Sequence, residues 1–268
     1  MIVLHYTGME SGEAALARLR DPAAKVSAHY LVEEDGRVFA LVDEARRAWH
    51  AGVSSWRGTS DINARSIGVE IVNPGHEFGY RPFPSVQIEA VIKLIGEVRE
   101  RWTIDDALIL GHSDVAPRRK QDPGELFPWA TLALAGHGLW VEPPPAPGAA
   151  LTFGDDGLGV LALRGALARL GYDVPVRGAF DEDLMAVVTA FQRHWAQAQC
   201  DGVADGVTRG VADRAGRRAH GVDRRRLGAP GLDRDRTMDQ SLRAPTLHTC
   251  SEPDGERGPP RTRSSSPI

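Results

Sequence analysis

Cysteine is nearly absent from this chain of 268 residues. Only Cys200 and Cys250 occur, which excludes a disulfide framework, and neither has a Cys or His at zinc-finger spacing. No stretch approaches the ~20 consecutive apolar residues that cross a bilayer, so a helical membrane span is excluded. Aromatic residues make up only 6%, and none follows Trp195. Lysine is equally scarce, with Lys25, Lys93 and Lys120 alone, whereas thirteen arginines fall after residue 208. Those arginines are interleaved with acids and have no aromatic neighbours for base stacking, so nucleic acid is not an expected partner. The formal net charge of −4 therefore hides an acidic body and an arginine-rich end. Missing too, ahead of the first apolar run, are the basic segment, apolar core and cleavage site of a secretory leader. As written, the chain is expected in the cytoplasm; a start further upstream would move that expectation to the periplasm or cell wall.

What is present reads as two folded parts. Residues 1–141 are expected to form an α+β domain, with a mixed central sheet flanked by helices. The apolar run 2–7 predicts a strand, and 12–20 a short helix stopped at Asp21-Pro22. Residues 28–33 and 37–42 predict a hairpin about Asp35-Gly36, and the β-branched run 67–72 predicts a further strand. Over 85–102, Ile88, Val91, Ile92, Ile95, Val98 and Trp102 recur at helical spacing. A short strand at 108–110 then delivers His112 to its end.

Residues 142–154 carry Pro143, Pro144, Pro145 and Pro147 and read as a stiff, extended linker. Residues 155–208 are expected to be a small three-helix domain. Val160, Leu163, Leu167 and Leu170 form one stripe, and Leu184, Val187, Val188, Phe191 and Trp195 a second, with Asp181 as its N-cap. A third, shorter helix would begin after Asp205-Gly206. From 209 to 268 apolar positions thin out, and this Arg/Pro/Ser-rich tail is expected to be disordered.

The chemistry concentrates in the stretch Ile109-Leu-Gly-His-Ser-Asp-Val-Ala-Pro-Arg-Arg-Lys-Gln-Asp-Pro-Gly124. His112 and Asp122 put an imidazole and a carboxylate, both good Zn²⁺ ligands, on one short loop. Lys120 stands two residues before the carboxylate. His5 lies near the end of the first apolar strand. Two histidines and one carboxylate would leave a tetrahedral zinc with one open position, the arrangement of a hydrolytic rather than a structural site. Each residue alone also has a plainer reading. His5 would be a hydrogen-bonded core histidine, Lys120 a solvated charge, and Glu70 half of a buried ion pair with Arg65 or Lys120.

Five linked motifs carry a resemblance. They are Val3-Leu-His-Tyr-Thr7, Ser27-Ala-His-Tyr-Leu31, Ala48-Trp-His-Ala-Gly52, Asn63-Ala-Arg-Ser-Ile-Gly-Val-Glu-Ile71 and Gly111-His-Ser-Asp-Val-Ala-Pro117. Arg119-Lys-Gln-Asp-Pro-Gly124 and Leu126-Phe-Pro-Trp129 continue them. In this order, and over nearly all of residues 1–140, the chain resembles the zinc-dependent N-acetylmuramoyl-L-alanine amidases of the peptidoglycan-recognition-protein fold. The resemblance implies one Zn²⁺ per chain on His5, His112 and Asp122, with Glu70 as general base and Lys120 stabilising an oxyanion. Glu70 fits that role physically, because a carboxylate set among Val and Ile is costly to ionise. Some relatives use a tyrosine immediately before the histidine of the second motif; here that position, before His29, is Ala28, so the Glu70 form applies. Asn63, Arg65, His50 and Arg119 are expected on the substrate side. A capping or loop role for Asn63 and Arg65, and simple exposure for Arg119, are the alternatives. His29 is expected to hydrogen-bond within the sheet.

The second part resembles the small three-helix peptidoglycan-binding domain through Leu163-Arg-Gly-Ala-Leu-Ala-Arg-Leu-Gly-Tyr172, Gly178-Ala-Phe-Asp181 and Val187-Val-Thr-Ala-Phe-Gln192. Together the two resemblances imply hydrolysis of the lactyl–L-Ala amide of peptidoglycan or muropeptides, with a wall-binding module tethered behind. The alternative is a non-catalytic peptidoglycan-recognition protein on the same fold. Such proteins typically lack a zinc ligand, and here all three stand.

Overall fold

In the computed structural model, which describes residues 1–144 and 148–226, the first apolar run becomes β1 (Ile2–Tyr6). It is followed by α1 (Gly12–Arg20), a hairpin of β2 (Tyr30–Val32) and β3 (Val38–Ala40), and a small hairpin of β4 (Ser55–Trp56) and β5 (Thr59–Ser60). Then come β6 (Ile67–Ile71), α2 (Gly75–Phe78), α3 (Ser85–Arg101), β7 (Ile109–Gly111), α4 (His112–Val115) and α5 (Trp129–Leu134). The helical part is α6 (Leu158–Leu170), α7 (Glu182–Trp195) and α8 (Gly206–Arg226).

The main sheet runs β3-β2-β6-β1-β7, with every pairing parallel except β2 with β3. This is the mixed sheet flanked by helices that the sequence predicts. Apart from His5 and Glu70, its central strands β1 and β6 are apolar on both faces because both faces are covered. On one side Ile88, Val91, Leu94, Ile95 and Val98 of α3 pack against Ile2, Leu4 and Val69. Trp102, expected in that stripe, instead ends the helix, 42% exposed, with its indole N–H donated to Glu44. Parallel strands aligned this way bring the ends of β1, β6 and β7 to one edge, where side chains from distant parts of the chain can meet.

The other side of the sheet is covered by the helical part. Val3, Leu110 and Val115 share one apolar core with Leu163, Leu167, Val187, Phe191 and Trp195. Trp56 meets Tyr172 edge-on, with ring centroids 4.9 Å apart. The Arg57 N–H donates to the Gly171 carbonyl at 2.7 Å, and the Trp195 indole donates to the Leu139 carbonyl at 3.1 Å. The helical part is thus docked on the sheet, and the described residues form one unit. Residues 145–147 of the expected linker lie outside the described residues. The far end of that linker is folded into the helical part, since Leu151 and Ala204 exchange backbone hydrogen bonds of 3.0 and 2.9 Å.

Asp181 caps α7 as its position predicts, accepting the Leu184 N–H at 2.8 Å. The third helix differs from expectation. It is not short, and no disordered tail begins at 209, because α8 continues to Arg226. Among the residues whose burial is described, its buried side is made of small ones, among them Thr208, Val211, Ala212, Ala215 and Ala219. A Cβ on Gly216 would lie 2.7 Å from the Ala166 carbonyl oxygen, so α6 and α8 approach closely there. A scan for large apolar side chains passes over such a stripe. Residues 227–268, the rest of the expected tail, lie outside the described residues. Among the described residues no helix is long and apolar enough to cross a membrane.

Candidate active site

A cleft of about 440 Å³ opens at the C-terminal edge of the parallel strands. His5 near the end of β1, Glu70 on β6, and His112, Arg119, Lys120 and Asp122 after β7 all line it. Three buried ligand atoms converge at its floor. His5 Nδ1 lies 3.0 Å from His112 Nδ1 and 2.9 Å from Asp122 Oδ2, and the third side of the triangle is 3.0 Å. Neighbouring ligands on a tetrahedral zinc with bonds of about 2.0 Å are about 3.3 Å apart, close to this spacing.

The surrounding hydrogen bonds decide which ring nitrogens carry protons. The Ser66 hydroxyl donates to the Ile62 carbonyl at 2.6 Å, so its oxygen accepts from His50 Nε2 at 3.2 Å. That leaves His50 Nδ1 to accept from His5 Nε2 at 3.0 Å, and His5 Nδ1 is left with a bare lone pair. His112 Nε2 donates to the Ala51 carbonyl at 3.1 Å, so its Nδ1 is bare as well. Burial above all lowers the His5 pKa to about 4, and burial likewise holds His50 well below its ordinary value. Both rings are therefore neutral near pH 7. Two nitrogen lone pairs and a carboxylate oxygen facing one point repel one another unless a cation lies between them. The donor set suits a zinc ion, for which neutral imidazole and carboxylate are ordinary ligands.

Glu70 keeps slight exposure to the cleft, but its Oε2 is shut from solvent and has no hydrogen-bond partner. Burial, then the negative charge of Asp122, raises its pKa to about 8, with Lys120 pulling the other way. No ion pair to Arg65 or Lys120 forms among the described residues, so the plainer reading of Glu70 as half of a salt bridge is not met. The Lys120 ammonium likewise has no hydrogen-bond or ion-pair partner among the described residues and stands over the cleft.

The expected substrate-side residues divide. Asn63 does not reach the cleft: it is buried, and its Oδ1 accepts the N–H groups of His50 and Ala51 at 2.9 and 2.8 Å. Arg65 is exposed and, with Asn63, lines a separate hollow beside Met1. Both precede β6, so they sit at its opposite end from Glu70. The loop-forming alternative holds for Asn63. His50 does line the cleft, yet both of its ring nitrogens are engaged, one of them by His5. Room for its ring comes from Gly68, where a Cβ would lie 2.4 Å from the imidazole. Arg119 lines the cleft from an exposed position, with Nη2 donating to the Ala51 and Val53 carbonyls at 2.7 Å each. His29 bonds within the sheet as expected, accepting the Gly68 N–H at 2.9 Å.

Trp49 belongs to the cleft and was not among the expected site residues. The residue is 55% exposed, and the Arg47 guanidinium lies 4.1 Å from the centre of its ring. It also lines an adjoining hollow of about 550 Å³ with Lys25 and Arg20, so the groove extends well past the ligand triangle. Its place inside the Ala48-Trp-His-Ala-Gly52 motif, next to His50, is the sequence signal that could have found it.

Residues 1–125 match the family described as N-acetylmuramoyl-L-alanine amidase, and residues 156–211 match a peptidoglycan binding domain. The N-acetylmuramoyl-L-alanine amidase AmiD of Escherichia coli (strain K12) is 36% identical over 229 residues, which is 80% of this chain and 80% of that protein. The solved complex of AmiD with the substrate anhydro-N-acetylmuramic acid-L-Ala-D-gamma-Glu-L-Lys has a TM-score of 0.71 at 35% identity, covering 82% of this chain and 89% of that one. AMPDH3 from Pseudomonas aeruginosa gives a TM-score of 0.69 at 29% identity, with 81% of this chain and 91% of that chain covered. The 1,6-anhydro-N-acetylmuramyl-L-alanine amidase AmpD of Haemophilus influenzae is 37% identical over 106 residues, 39% of this chain and 55% of that protein. With its first 125 residues matched to that family and 80% of its length aligned to AmiD at 36% identity, the chain belongs to the N-acetylmuramoyl-L-alanine amidase family.

Proposed function

We propose that this amidase hydrolyses the amide between the lactyl group of N-acetylmuramic acid and L-alanine in muropeptides, using one zinc ion held by His5, His112 and Asp122. The observation that carries the reading is the triangle of facing lone pairs at the cleft floor, 2.9–3.0 Å on a side, beside an unpartnered carboxyl. A zinc ion there supplies a Lewis acid, which polarises the amide carbonyl and acidifies a water.

The protein's own groups do the rest. Glu70, whose Oε2 has no hydrogen-bond partner, accepts the proton of the attacking water at a carboxylate oxygen. The Lys120 ammonium, which lines the same cleft, stabilises the negative charge that develops on the carbonyl oxygen. Glu70 then returns its proton to the departing L-alanine nitrogen, which leaves as a neutral amine. The open groove past Trp49 gives an extended substrate room beyond the scissile bond. Binding without hydrolysis is the poorer reading, since a receptor needs neither a complete ligand set nor an unpaired base and ammonium beside it.

The compound bound in the AmiD structure, an anhydromuropeptide, is the first substrate to offer. Release of free stem peptide should stop on treatment with a chelator and return on adding zinc. A metal-loaded chain that binds the muropeptide tightly but releases nothing would move the protein to the receptor class. Fractionating cells that express the tagged chain tests the expected cytoplasmic location.

A further inference from the structure

Asp114 neither lines the cleft nor contacts the ligand triangle, yet it is only 1% exposed. It lies in α4, two residues after His112. A carboxylate buried so deeply is costly unless its lone pairs are met, and here they are. Oδ2 accepts the Gly111 N–H at 2.7 Å and meets His194 Nδ1 at 2.7 Å, while Oδ1 accepts the Tyr172 hydroxyl at 2.6 Å. Tyr172 and His194 both come from the helical part, and both are buried. The His194 ring is stacked between Trp129 and Trp195, with centroids 3.6 and 3.5 Å away, so it cannot turn aside. The Tyr172 ring is held edge-on by Trp56.

Docking alone does not require this cluster, because the shared apolar core already joins the two parts. The three hydrogen bonds end on the turn that carries His112. That same turn reaches the other loop ligand, since the Ser113 N–H donates to the Asp122 carbonyl at 2.9 Å. Fixing the turn at Asp114 therefore fixes two corners of the triangle relative to His5. Groups that orient ligands from behind are the usual means by which a protein sets metal affinity.

We infer that Asp114 is a positioning residue for the metal site, and that Tyr172 and His194 make the helical part a working component of that site as well as a wall-binding module. The inference rests on reading His5, His112 and Asp122 as the zinc ligands. It is tested on the full chain, stripped of metal, by titrating zinc against a chromophoric chelator while circular dichroism and Tm report folding. Asp114→Ala should weaken zinc binding about 10-fold or more. Excess zinc should restore its kcat, with KM unchanged. Asp114→Asn should recover most of the affinity, because its oxygen can still meet Gly111 and His194 and its NH₂ can donate to the Tyr172 oxygen. Tyr172→Phe, which removes one hydroxyl and keeps the packing, should weaken zinc several-fold with its fold intact; it decides alone if Asp114→Ala does not fold. Wild-type zinc affinity in folded variants would overturn the inference and leave the cluster as glue between the two parts. A wild-type chain that takes up no zinc would overturn the metal reading itself, a different and distinguishable result.

Discussion

His5 and Glu70 are register partners on the adjacent parallel strands β1 and β6. Aligned residues on paired strands point to the same face, so a metal-ligand candidate and a base candidate enter the cleft side by side. Strand pairing, the most rigid contact the fold offers, sets their separation.

Glu70→Gln keeps the size of the side chain and removes the proton acceptor. It should lower kcat about 10²–10⁴-fold while zinc content, measured on the purified protein, stays at the wild-type level. Retained turnover would remove Glu70 from the mechanism.

Lys120→Ala should lower kcat about 10²–10³-fold with little change in KM, because its charge matters only once the carbonyl oxygen becomes negative. Steady-state kinetics on a muropeptide separate this from a binding role, which would raise KM instead.

His50→Ala removes the acceptor that fixes the His5 tautomer. The expected consequence is zinc binding weakened about 10–100-fold, followed by chelator competition. A raised KM with unchanged zinc affinity would return His50 to the substrate side.

Glu44 lies far from this chemistry and gives a pH test of the fold. Hydrogen bonds from Arg101, with Tyr30 and Trp102 adding theirs, lower its pKa from 4.5 to about 2 despite partial burial. A carboxyl depressed in the folded state contributes stability above its unfolded pKa and loses it as pH falls through the folded one. Wild-type stability should therefore decline from about pH 4.5 toward pH 2 more steeply than that of Glu44→Gln, as urea titrations at successive pH values would show.

Gly216→Ala tests the close approach of α6 and α8, since the added methyl would meet the Ala166 carbonyl. Overpacking of this kind costs about 1–3 kcal/mol. A lowered Tm is expected. An unchanged Tm would mean that the two helices can separate without loss.

Much of this was legible in the chain. The apolar run ending in His5, the β-branched run around Glu70 and the helical stripe from Ile88 to Val98 each carry their own periodicity, so strand and helix placement follows from local pattern. Two of the three candidate ligands were legible as a pair, because His112 and Asp122 share one loop. Two things were hidden. The packing face of α8 is made mostly of small residues, Ala212, Ala215, Gly216 and Ala219 with Val211, whose contribution is closeness rather than bulk. The partners of the polar residues were hidden too: Asn63 and His50 look alike as motif residues facing a substrate, but one shapes a loop and the other orients His5.

By itself the sequence determined the elements, the chemistry available and the family. Tertiary structure alone decided that His5 and His112, 107 positions apart, meet at 3.0 Å. It also decided that a tyrosine and a histidine from the helical part end on Asp114. The reason is physical. Periodicity and capping are satisfied within a few residues of chain, whereas a buried lone pair must be met by whatever group the assembled core brings to it.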